Sequence, residues 1–173
     1  PNDPQPGNIP GGRRDVLRSV GFNNGNGGNG GNNGSNNTGF FIDSGTWTIQ
    51  DGSYYVEPEF KGGDALSVFL VNDYVPTYYE MLATLRPVKP TAGYKSNAYV
   101  VFDYFSETDF KFAGINVSTN KLEIGHRTEN GWTVDSQGVY TGSLKSDTNY
   151  NILLSVNGTV VTLVVNNKST LTH

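Results

Sequence analysis

Asp103, Lys111, Glu123 and Arg127 are the side chains with which this sequence could do chemistry. They sit in three aromatic-rich segments, NAYVVFDYF (97–105), FKFAGINV (110–117) and NKLEIGHRT (120–128). Each segment reads as a strand, because residue types alternate with the period of two that sends neighbours to opposite faces. On that pattern Tyr99, Val101, Asp103 and Phe105 share one face, and Ala98, Val100, Phe102 and Tyr104 the other. Lys111, Ala113 and Ile115 oppose Phe110, Phe112 and Gly114, while Leu122, Ile124 and His126 oppose Lys121, Glu123, Gly125 and Arg127. Paired side by side, the strands can bring the four charges together. One reading is a solvated sheet face whose cross-strand ion pairs contribute about 0.2–1 kcal/mol each. A second is a polar groove that receives a sugar. A third is glycoside hydrolysis, which needs two carboxylates flanking the scissile bond. Asp103 and Glu123 are the pair on offer, and nothing in their spacing demands that role.

Other residues add candidates. Tyr54-Tyr55 and Tyr78-Tyr79 are adjacent pairs, so on a strand one ring of each must point outward, and Tyr78 joins the ligand-facing set. Trp47 and Trp132, as single residues on strands, read as core aromatics or as sugar-stacking rings. Asp43, Asp51, Asp103, Asp109 and Asp135 are calcium ligands by chemistry alone, with Asp43 and Asp109 kept as candidate metal residues. Turn capping is the competing role for Asp43, Asp51 and Asp109. His126 falls on the apolar side of its strand and is expected to be a hydrogen-bonded core residue. There is no Ser-His-Asp or metal-His spacing.

These residues need a scaffold, and the rest of the chain describes one. Its 173 residues are low in apolar and charged types, at 35% and 16%, and hold 22 Gly, 10 Tyr and 9 Phe. That balance fits a turn-rich β-protein. GTWTIQ (45–50) and SYYVE (53–57) flank the hairpin signal Asp51-Gly52. ALSVFLV (65–71) reads as a buried strand. TYYEMLATLR (77–86) alternates, with Tyr79, Met81, Ala83 and Leu85 on one face. WTVD (132–135) follows the turn Asn130-Gly131, and TNYNILLSV (148–156) and TVVTLVV (159–165) flank Asn157-Gly158. Nine or ten short strands without a long helix predict an all-β, two-sheet antiparallel β-sandwich of jelly-roll type. Residues 1–22 read as a Pro/Gly-rich arm or linker with a possible first strand. Residues 23–38 are an Asn/Gly-rich loop or linker that cannot build a core, and 39–173 form the sandwich domain.

The bulk numbers exclude some partners. Net charge is −4 and the basic residues are scattered, so nucleic acid is not the main partner. No apolar run reaches membrane-spanning length, so no membrane insertion is expected. With no Cys there is no disulfide framework and no thiolate metal site. The chain starts at Pro1 without an initiator Met, and a processed or excised piece of something longer is expected.

GTWTIQDGSYYV, GGDALSVFLV, the run from YYEMLATLRPVKPTAGYKS through KFAGINVSTNKLEIGHRTENGWTVDSQ, and YNILLSVNGTVVTLVV resemble a bacterial module of the concanavalin A-like, laminin-G-like jelly-roll superfamily. The resemblance covers about residues 39 to 166 and is most specific in KPTAGYKSNAYVVFDY and TDFKFAGINVSTNKLEIGHR. It looks like the version carried by large exported proteins beside cadherin-like or adhesin repeats. It implies an extracellular or cell-surface setting and a non-catalytic binding or spacer role, toward a glycan or another protein surface, with calcium in many members. The glucanase relatives carry an E-x-D-x-E strand; here VEPEF (56–60) has the wrong spacing, against an enzyme. Where related first strands are acidic, GFNNGNGGNGGNNG is amidic. Related modules also continue past VNGTVVTLVVNN. The sandwich is therefore expected to be incomplete at its C-terminus, leaving an open sheet edge through which copies self-associate into a filament or surface layer.

Overall fold

The computed structural model describes residues 20, 22, 39–71, 74–89, 92 and 95–173. The Pro/Gly arm and the Asn/Gly run thus lie outside the described residues, save Val20 and Phe22. The described residues form twelve strands in four antiparallel sheets, an all-β structure. They divide into two compact units, 20–71 and Tyr74–His173.

In the first unit β1 (Phe41–Ser44) pairs with β4 (Leu66–Val68), and β2 (Thr46–Gln50) with β3 (Ser53–Glu57). The β2–β3 hairpin turns at Asp51-Gly52, as the sequence predicts. Both residues have positive φ, 49° and 73°, the left-handed pair that matches strand twist in a two-residue turn. ALSVFLV forms a much shorter strand than expected. Leu66 and Val68 are buried, but Leu70 and Val71 are exposed, because the single partner β1 begins opposite Val68 and offers no ladder beyond it. Aromatic rings do most of the packing. Tyr54 stacks on Phe22 at 5.1 Å and meets Trp47 at 4.7 Å, while Phe40 bridges Tyr54 and Phe69.

The second unit is the two-sheet β-sandwich. One sheet runs β6 (Asn97–Ser106), β7 (Asp109–Asn116), β8 (Lys121–Thr128) and β9 (Gly131–Val139). The other has the order β12-β11-β10-β5, with β5 (Tyr78–Leu85), β10 (Tyr150–Asn157), β11 (Val160–Val165) and β12 (Ser169–Thr172). The alternating faces explain the core. Phe102, Ala113, Ile115, Leu122 and Ile124 from the first sheet form one cluster with Ile152, Leu154, Val156, Val161, Leu163 and Val165 from the second. Tyr79, Met81 and Leu85 of β5 pack against it, as the alternation in TYYEMLATLR requires.

The β10–β11 hairpin falls where the sequence places it, but one residue later. Asn157 pairs with Val160, so the turn is Gly158-Thr159, with Gly158 at φ 60°. A positive φ at the first turn residue alone is the alternative hairpin geometry that glycine allows. STLT, not read as a strand from sequence, is β12, and its ladder continues through paired backbone bonds between Val161 and His173. At one end of the sandwich Asn120, in the β7–β8 turn, ties that turn to the loop that follows β9. Its side chain accepts from Leu144 N at 2.7 Å and donates to Gly142 O at 3.0 Å, and its carbonyl accepts from Tyr140 N.

Candidate functional site

The β6–β9 sheet has an inner face on the core and an outer face, and the sequence-predicted residues divide between them. Glu123 and Arg127 lie on the outer face, because Glu123 is registered with Gly114 and Arg127 with Phe110. Lys111 lies on the inner face, in register with His126.

The outer face is built from aromatic rings packed largely edge to face. Phe112 sits between Tyr99 of β6 and Trp132 of β9, each 4.9 Å away, and Trp132 also meets Phe110 edge-on at 5.3 Å. Two glycines make this possible. A Cβ on Gly125 would stand 2.6 Å from the Phe112 ring and strike Thr133 O. One on Gly114 would stand 2.7 Å from Tyr99 Cα and strike Ala98 O. With hydrogen there instead, Phe112 lies against the sheet, and Tyr99 and Trp132 approach within 6.1 Å at 33° across it. Phe112 is fully buried under them, whereas Trp132 keeps 40% of its surface exposed.

Glu123 anchors this arrangement. It is only 6% exposed; its carboxylate accepts from Tyr99 Oη at 2.6 Å and Asn116 Nδ2 at 3.2 Å. Burial, reinforced by that bond, pushes the Tyr99 phenol far above its ordinary range, so Tyr99 stays protonated and donating. Around the rings are Lys121, whose ammonium donates to Gln137 at 2.8 Å, and Arg127, which donates to Thr128 O.

On the inner face the alternation breaks at Asp103. Phe102 is registered with Lys111 and Ser106 with Asp109, so β6 carries two more residues than β7 between those pairs. Asp103 takes φ 46° at this bulge. It is thereby turned from the face the sequence predicts toward Lys111, whose Nζ lies 2.7 Å from Oδ2. Tyr78, predicted beside these charges, donates instead to Glu80 on its own strand. His126 does share a face with Leu122 and Ile124, but at the strand end, where 40% of its side chain is exposed. Its Nδ1 lies 2.7 Å from Asp135 Oδ2. Asp135 is the extra residue of a β9 bulge opposite Ile124 and Gly125.

No family model matches the chain, and no curated protein matches it. Among solved structures it is similar to the carbohydrate binding module CBM66 from Bacillus subtilis, with a TM-score of 0.60 and 12% identity. The match covers 79% of this chain and 80% of that one. At that identity the likeness is one of fold, and it agrees with the β-sandwich.

Of the metal candidates, Asp43 is in β1 of the first unit and Asp109 opens β7 in the second. Among the described residues no group of three or more His, Asp or Glu is placed to hold a metal ion. No helix of the described residues is long and apolar enough to cross a membrane. Sequence reasoning missed the platform of Tyr99, Phe112 and Trp132. Its signal was present in Gly114 and Gly125, small residues in the middle of strands, which mark close approach. Chemically, an exposed indole over a rigid aromatic bed stacks on the apolar C–H face of a sugar ring, and flanking amides and cations meet its hydroxyls.

Proposed function

We propose that this chain is a non-catalytic carbohydrate-binding module. The observation that carries the reading is the outer-face platform, in which Trp132 is held half-open on Phe112 and Tyr99, with Tyr99 locked by Glu123. An aromatic platform held rigid before binding loses little side-chain entropy when a ligand stacks on it. Glu123 and Arg127 belong to this face, Glu123 as its anchor and Arg127 at its rim. The fold likeness to a carbohydrate binding module supports the same class. The finer assignment, a laminin-G-like module of an exported bacterial surface or adhesin-like protein acting outside the cell, rests on the sequence resemblance.

The test is a glycan array probed with the full chain and with Trp132→Ala, each with calcium and with chelator. Selective binding by the parent chain and loss of about tenfold or more in Trp132→Ala is the expected result. Since Trp132 is partly exposed, the variant keeps its fold, which circular dichroism checks. Retention of full binding in Trp132→Ala would move the site off this face. Loss in chelator alone would bring calcium into the site.

A further inference from the structure

The inner face at the opposite end from Asn120 carries a line of polar groups. One residue comes from each of five strands: Tyr79, Asp103, Lys111, His126 and Asp135. Tyr79 Oη donates to Asp103 Oδ1 at 3.5 Å, and Asp103 accepts from Lys111; His126, the cross-strand partner of Lys111, pairs with Asp135. Lys111 and His126 stand on the two central strands in inward positions, which on the same strands are otherwise Ala113, Ile115, Leu122 and Ile124. Half-exposed ion pairs add little stability. They do not account for placing charge on a core-facing row, nor for an aspartate held at φ 46° in a two-residue bulge. Bulges re-aim side chains, and both carboxylates of this line stand at bulges, in β6 and β9.

We propose that this line is a second binding site, for the adjacent hydroxyls of a neutral polyol such as a sugar. Two aspartates and one lysine leave no excess positive charge to attract an anion. The lysine has donors beyond the one given to Asp103, His126 has a second ring nitrogen, and each carboxylate has lone pairs to spare. A hydroxyl both donates and accepts, so a diol satisfies neighbouring members of the line at once. The site is on the opposite face from Trp132 and does not depend on the platform.

The experiment is an NMR titration of the full chain with a panel of neutral methyl glycosides and, separately, a uronic acid. Saturable shifts of the amides at Asp103, Lys111, His126 and Asp135 are expected for a neutral member. They should weaken about tenfold or more in Asp103→Asn and in Lys111→Gln, and persist in Trp132→Ala. Asparagine tolerates the positive φ, so the first variant tests charge without disturbing the bulge. Linear, non-saturating shifts with every glycoside, equal binding in both line variants, or tighter binding of the uronic acid would each overturn the proposal.

Discussion

Tyr79 and Tyr99 each donate a hydroxyl hydrogen bond to a carboxylate, and burial, together with that carboxylate, makes each resist ionisation. For Tyr79, burial first and the Asp103 charge second push the phenol up to about 12. The sign of the effect on stability follows. In the unfolded chain tyrosine ionises near its model value of 10.0, while the native state still holds the proton. Tyr79 therefore contributes stability that is fully present below pH 10 and is lost as pH rises from there toward 12. Denaturant midpoints measured across that window should fall, and Tyr79→Phe should fall less steeply than the parent. The same two tyrosines show how unevenly the site could be read in advance. Glu123 and Arg127 were placed on their face by alternation alone, because β8 is regular at those positions. Asp103 was not, because its position depends on a bulge, and nothing in FDYFSETDF announces one. His126 was assigned its hydrogen bond but not its exposure, since a strand end looks like a strand interior in a period of two.

At the scale of strands, hairpins carried their own signatures and loops did not. Asp51-Gly52 specifies its turn through the left-handed conformation both residues tolerate. Asn157-Gly158 located its hairpin yet not the register, since glycine serves either turn position and the cross-strand packing of Val156 on Val161 decides between them. β1 and β12 escaped notice because four-residue strands offer too few residues to show a period. The glycines inside β7 and β8 are the strongest test of the platform. Gly125→Ala puts a methyl group against Thr133 O and the Phe112 ring at once. Backbone cannot yield as a flexible side chain would, and destabilisation by about 3 kcal/mol is expected. Chemical denaturation measures it. A loss below a few tenths would mean that Phe112 is free to lift, and that the platform is not rigid.

Across the whole molecule, the two-sheet class was legible because it needs only composition and many short alternating segments. Most strands of the second unit, β9 and β12 excepted, were found to within about two residues, because the core-facing positions from Phe102 through Val165 that build the cluster are apolar. That core is supplied wholly by residues of the second unit. A fragment spanning 74–173 should therefore fold, giving one cooperative thermal transition; a broad, non-cooperative melt would show that the sandwich relies on the rest of the chain. The bulge in β6 has one more consequence. Its surplus is an even number of residues, so removing Asp103 and Tyr104 would leave Phe102 opposite Lys111, Phe105 opposite Phe110 and Ser106 opposite Asp109. The residues before Phe102 and after Ser106 would keep their faces, and the ladder would close. The carboxylate beside Lys111 would be gone, together with the Tyr104 ring that stacks on Phe110. A short in-frame deletion can thus silence this end of the sandwich, and the reverse insertion restore it, with the register of the flanking strands unchanged. In descendants of this chain, recognition at that end can change through gaps in length as well as through exchange of one residue for another.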